Sequence, residues 1–71
     1  MDKNITKNIQ KNIKFYRNQH KLTQEQLANL IGGKKSLVSN YENGHSVPDI
    51  FVLYKLAKIF DTTVDDLISD N

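Results

Sequence analysis

Residues 22–44 read "LTQEQLANLIGGKKSLVSNYENG" (Leu22 to Gly44), and the fold turns on how the glycines and lysines near their centre are read. Gly32-Gly33-Lys34-Lys35 could belong to a loop that cradles phosphate or to the turn between two short helices. A phosphate loop needs G-x-x-x-x-G-K-[ST] between a strand and a helix. Gly33 and Lys34 supply the G-K, but Lys35 stands where a Ser or Thr is required. The residues before Gly33 carry a helical pattern, so the phosphate loop fails on both spacing and context.

The helical reading has positive support. Thr23 and Gln26 form a capping box, and Leu22 with Leu27 has the spacing of a hydrophobic staple. Helix 2 therefore starts after Thr23, buries Leu27 and Ile31, and lets another helix approach at Ala28. It stops at Gly32, where a positive φ is expected. Helix 3 is predicted over about 35–42, with Val38 and Tyr41 buried, Leu37 at the edge and Gly44 as the stop. Upstream, Ile5, Ile9, Ile13 and Tyr16 recur at helical spacing. They predict helix 1 over about 5–20, with the intervening lysines and asparagines on the other face. Downstream, Pro48 opens helix 4 over about 49–60, with Ile50, Leu53, Leu56, Ala57 and Phe60 inward. Thr63 and Asp66 cap a short helix 5 that docks Val64, Leu67 and Ile68, and Asp65 and Asp66 suit its positive end. The expectation is an all-α fold, one domain over residues 1–71 with its core at about 5–69, frayed at the first four and last two residues.

Composition bounds the function. The 71 residues allow one small core, and the absence of cysteine removes disulfides and thiolate metal sites. No apolar run approaches the length of a membrane span, and the N-terminus lacks an apolar signal core, so a cytoplasmic protein with no membrane partner is expected. Residues 1–44 carry eight basic against three acidic side chains, and residues 45–71 carry two against five. A basic half joined to an acidic half suits a protein with one face toward a polyanion, although a solvated helix surface gives the same asymmetry.

The assembled pattern, "LTQEQLANLIG…VSNYENG…P…LAKIFDTTVDDLI", resembles the Cro/cI-type (XRE) helix-turn-helix family of phage and bacterial repressors over about residues 9–69. The resemblance implies a five-helix, lambda-repressor-like bundle in which helices 2 and 3 are the DNA-reading pair. It implies that Gln24 contacts phosphate, that Lys35, Ser36 and Asn40 read bases with Ser39 on the same face, and that Asn43 offers its backbone N–H to phosphate. It also implies an ion pair between Arg17 and Glu42 that joins helix 1 to helix 3. At about 100° per residue, positions 35, 36, 39, 40 and 43 fall within an arc of about 140°, with 37, 38 and 41 opposite. A lysine can donate to guanine O6 and N7, an asparagine can pair with adenine N6 and N7, and a serine is permissive. A half-site with guanine near Lys35 and adenine near Asn40 is the resulting expectation.

This chain departs from the family in one place. The family has an apolar residue and then Ser or Thr where Gly33 and Lys34 stand here. Two registers follow. Helix 3 starts at Lys35 without its usual cap, with Lys34 toward phosphate; or Ser36 caps a later start, and Lys34 and Lys35 both grip phosphate from the loop.

Other candidates are weaker. His20 and His45 lack ligand-spaced partners, no Ser/His/Asp arrangement is legible, and so small a core leaves little room for an enzyme pocket. No catalysis, metal, cofactor or small-molecule ligand is expected. Phe51, Tyr54 and Ile59 on helix 4 are not absorbed by the core pattern and could form a two-fold dimer patch. The expected protein is a sequence-specific regulator, a repressor that binds a pseudo-palindromic operator as a homodimer. Having no ligand-sensing domain, it would be regulated through its own concentration, a partner or turnover. The rival is a protein-interaction module on the same scaffold, an antitoxin or anti-repressor.

Overall fold

The computed structural model describes the backbone of residues 2–70 and the side chains of residues 5–70. Five helices follow one another: α1 (Asp2–Gln19), α2 (Gln24–Leu30), α3 (Lys35–Asn43), α4 (Ile50–Ile59) and α5 (Val64–Ile68). The described residues contain no strand. Helix α1 begins three residues before its predicted start, so the expected fraying at 2–4 is replaced by helical backbone; at Met1 and Asn71 it lies outside the described residues.

The apolar stripes meet in one core. Ile9 and Ile13 of α1 pack with Leu27 and Ala28 of α2, Val38 and Tyr41 of α3, Leu53, Leu56 and Ala57 of α4, Phe60, and Leu67 of α5. Ile31, just past α2, completes it. Two expected core residues lie outside. Ile5 and Ile50 each open a stripe, and both are exposed because no element covers those ends. Burial pushes the Tyr41 hydroxyl above its usual range, and the nearby Asp49 carboxylate adds to the shift.

Helix starts follow side-chain chemistry. Thr23 Oγ1 accepts from Gln26 N at 3.0 Å, and Gln26 Oε1 accepts from Thr23 N at 2.8 Å, which completes the expected capping box. Thr63 Oγ1 accepts from Asp66 N at 3.0 Å. At α4 the reading needs correction. Asp49, not Pro48, sits at the boundary, and its Oδ1 accepts from Val52 N at 3.0 Å. A carboxylate satisfies an orphan N–H that proline cannot reach.

Four of the five helix ends share one geometry, and α5 instead ends at Ser69 in extended backbone. After α2, α3, α1 and α4 the chain turns through a left-handed residue: Gly32, Gly44, Lys21 and Asp61. Each turn closes with a backbone bond from the next residue to a carbonyl five back: Gly33 N to Ala28 O (2.8 Å), His45 N to Asn40 O (2.9 Å), Leu22 N to Arg17 O (3.1 Å) and Thr62 N to Ala57 O (2.9 Å). This is the Schellman closure, which satisfies carbonyls the helix leaves open.

Helix α5 is held by α1 through amides. Asn12 is buried, contrary to its expected place on the polar face. Its Nδ2 donates toward Asp66 O (3.1 Å), Leu67 O (2.8 Å) and Ser69 O (2.8 Å), and Asn8 Nδ2 donates to Ile68 O at 3.1 Å. The end of a five-residue helix is thereby supplied with the donors that its own backbone lacks.

Candidate nucleic-acid interface

The turn between α2 and α3 is built from the glycines the sequence singled out. Gly32 takes φ +79°, the left-handed value that favours glycine. Gly33 is in close contact with the next helix: a Cβ there would lie 2.5 Å from Leu37 Cδ2, and the end of that side chain would have to shift. Leu37 of α3 folds over Gly33, so the apolar plug missing from the turn is supplied from the next helix.

The start of α3 decides between the two registers. The helix begins at Lys35, Lys34 is the boundary residue with extended backbone, and no side chain caps it. Ser36 lies inside the first turn, so the later start is excluded. Lys34 and Lys35 are both exposed at the helix's positive end.

The outward face of α3 has the expected composition. Lys35, Ser36, Asn40 and Asn43 are exposed, while Val38 and Tyr41 face the core. Ser39 is half-buried, and its Oγ accepts from Asn43 Nδ2 at 3.3 Å. Gly44 then ends the helix, so Asn43 is the last helical residue.

A buried charge network fixes this helix. Arg17 Nε donates to Glu42 Oε2 at 2.6 Å, and its Nη2 donates to Oε1 at 3.1 Å. The side chains are 12% and 4% exposed, so this is a buried, two-pronged pair rather than a surface contact. Arg17 Nη1 also donates to Leu22 O at 2.7 Å, in the link between α1 and α2. Gln24 Nε2 donates to Glu42 Oε1 at 3.1 Å. The glutamine expected at phosphate is thus tied to the ion pair by one amide hydrogen.

The expected dimer patch changes membership. Phe51 is 80% exposed and Tyr54 59%, with Lys58 Nζ lying 5.3 Å from the centre of the Tyr54 ring. Ile59 does not join them; it is half-buried against the core. Val47 and Ile50 are exposed instead, beside Phe51 in the chain, while Ile5, Phe15 and Leu30 are exposed on α1 and α2.

Two features escaped the sequence reading. Asn12 was assigned to the polar face, although the signal was present: Lys-Asn-Ile recurs every four residues at 3–5, 7–9 and 11–13. Each four-residue step rotates the side chains by about 40°, which carries the third asparagine to the edge of the buried stripe. The packing of Leu37 on Gly33 had no signal in either residue alone. A cleft of about 510 Å³ between α1 and α5 is lined by Lys11, Asn12, Phe15, Tyr16 and Asp66, away from the α3 face. No group of three His, Cys, Asp or Glu able to hold a metal occurs among the described residues, and no described helix is long and apolar enough to cross a membrane.

Comparison with known proteins agrees with this geometry. A family description of the helix-turn-helix matches residues 13–67. The chain is 34% identical over 55 residues to an uncharacterised HTH-type transcriptional regulator of Methanocaldococcus jannaschii, covering 78% of this chain and 83% of that protein. It is 40% identical over 50 residues to multiprotein-bridging factor 1b of Arabidopsis thaliana, covering 70% of this chain and 35% of that one. Among solved structures, hydroxypropylphosphonic acid epoxidase from S. wedmorenis is similar with a TM-score of 0.80 at 25% identity, over 87% of this chain and 33% of that chain.

Proposed function

The chain belongs to the XRE-type helix-turn-helix family, and on that footing we propose that it is a sequence-specific, double-stranded DNA-binding transcriptional regulator that reads the major groove with α3. The observation that carries this is the row of exposed polar side chains on α3, set on a helix that a buried ion pair holds in place. A reading helix must present its donors in a fixed register, because base edges are told apart by hydrogen-bond geometry. In this reading Lys35, Ser36, Ser39 and Asn40 meet bases. Lys34, the second amide hydrogen of Gln24 and the exposed side-chain amide of Asn43 meet phosphate, which positions the helix without specifying sequence. The backbone N–H of Asn43, expected at phosphate, lies in the last turn of α3 and is used by the helix itself. The protein acts as a repressor by occupying its operator. Two copies join through Val47, Ile50, Phe51 and Tyr54, and read a pseudo-palindrome whose half-sites lie about one turn, roughly 34–36 Å, apart.

Selection from random duplexes at near-physiological salt tests this. An enriched inverted repeat is expected. Asn40→Ala should relax preference at one position of each half-site; a uniform loss across all sites would remove Asn40 from the readers.

A second reading is a protein-interaction module. It draws on the exposed apolar patch and on a relative named as a bridging factor. Salt separates the two: a DNA reader loses affinity steeply as salt rises, because each phosphate contact releases counterions. An adaptor yields no enriched sequence.

A further inference from the structure

Asn43 is the one asparagine of this chain followed by glycine; Asn4, Asn8 and Asn12 precede isoleucine, and Asn18, Asn29 and Asn40 precede Gln19, Leu30 and Tyr41. We propose that the Asn43–Gly44 bond is a site of spontaneous deamidation, and that its conversion switches off the recognition helix as the molecule ages. The second half of this statement rests on the DNA-reading function proposed above.

The chemistry needs three things, and the end of α3 provides them. The backbone nitrogen after the asparagine must be unshielded, and Gly44 has no side chain to cover it. That nitrogen must be released: Gly44 N divides its hydrogen between Asn40 O and Tyr41 O, the latter across 3.4 Å, and is set free when the last turn of α3 frays. The side-chain amide must be free to swing, and Asn43 is exposed, with a 3.3 Å bond to Ser39 Oγ. The Gly44 nitrogen loses its proton to water and attacks Asn43 Cγ. The new C–N bond closes a five-membered imide, and the side-chain nitrogen leaves as ammonia. Water then opens the imide at either carbonyl, leaving aspartate or isoaspartate. The net change is one water consumed and one ammonia released, without oxidation or reduction.

Both products harm this position. Aspartate puts a negative charge at the negative end of α3 and beside the phosphate that residue 43 would face. Isoaspartate inserts a methylene into the backbone directly before Gly44, inside the turn that closes the helix.

The test incubates the folded full chain at mildly alkaline pH and maps every asparagine by peptide mass spectrometry. Asn43 should convert at least about tenfold faster than Asn18 or Asn40, since only its successor lacks a Cβ. Conversion no faster than at those two residues overturns the proposal. The converted fraction, separated by anion exchange, and the variant Asn43→Asp should both bind the selected operator about tenfold or more weakly, from like-charge repulsion at phosphate. Unchanged affinity of both overturns the switch. Asn43→Gln, whose longer side chain closes the ring poorly, should stay homogeneous. Gly44→Ala is not a clean control, because its Cβ would lie 2.8 Å from Gln10 Oε1 at a left-handed residue. If the unmodified protein binds no DNA, the DNA reading fails by itself, and the mass map still reports on the site.

Discussion

Glu42 is the residue at which three helices meet, since it accepts from Arg17 of α1 and Gln24 of α2 while belonging to α3. At 4% exposure its charge is removed from water, and the two-pronged Arg17 pair offsets that desolvation. Breaking such a pair leaves an uncompensated buried charge. Arg17→Met is therefore expected to lower stability by about 3–5 kcal/mol in urea unfolding. The double variant Arg17→Met/Glu42→Leu should recover most of that loss, because apolar groups of similar volume replace a buried pair at little net cost. If the recovered fold still binds DNA weakly, the network positions α3 as well as stabilising it. The partners of this pair were legible through the family pattern, but its burial was not. Two opposite charges 25 residues apart say nothing about desolvation until the helices close over them. Asn12 shows the converse failure. An amide reads as a polar-face residue, and here it is buried because the carbonyls of α5 need donors.

At the scale of elements, boundaries with a threonine cap or a glycine stop were legible; the Asp49 cap of α4 was obscured by the adjacent Pro48, and boundaries without a cap were not legible. Thr23, Thr63, Gly32 and Gly44 behave as their chemistry dictates, because each meets a local need of the backbone. The start of α3 was ambiguous because Lys34 is a poor cap, and the structure leaves it without one. Here stability has been exchanged for charge. Lys34→Thr should stabilise the fold by about 1 kcal/mol, through the cap it adds and the cation it removes from the helix's positive end. The same change should lower the slope of log affinity against log salt by about 1, since one phosphate contact is lost. Calorimetry and salt titration check the two halves; a gain in both stability and affinity would remove Lys34 from the interface. Lys21 and Asp61 carry the positive φ that glycine carries elsewhere, and nothing local in the sequence marked them, since lysine seldom adopts it. Lys21→Gly should stabilise by about 1 kcal/mol, because the left-handed conformation of a residue with a Cβ costs about 1–2 kcal/mol. Asp61→Gly should gain less, as aspartate tolerates that region better. Thermal unfolding of the two variants measures the difference.

At the scale of the whole molecule, charge was only half legible. The basic first half and acidic second half do not map onto two faces, because α1 lies along α5. Lys11 pairs with Asp70 at 3.5 Å, and both side chains are largely exposed. Such a pair adds little stability but mutes the field on that side. The cations left to act at long range include Lys34 and Lys35, at the start of the reading helix. Of the exposed apolar residues, Ile5 and Phe15 lie on α1 and Leu30 on α2, while Val47, Ile50, Phe51 and Tyr54 fall in or just before α4. Sequence pattern put Ile50 inside and Ile59 outside because helical spacing cannot tell which end of a stripe a neighbour covers. If this patch joins two copies, each reading helix gains a partner at fixed spacing, and the second half-site is bound at the effective concentration of a tethered ligand. Such linkage raises affinity by about 10²–10⁴-fold with no new DNA contact. Phe51→Lys places a charge at the centre of the patch without touching α3 or the core. Sedimentation equilibrium should then show a monomer. Affinity for the full inverted repeat should fall by about a hundredfold or more, while affinity for a single half-site stays within about twofold. Equal losses on full and half sites would mean that Phe51 meets DNA itself, and no loss on either would place the dimer contact on another face.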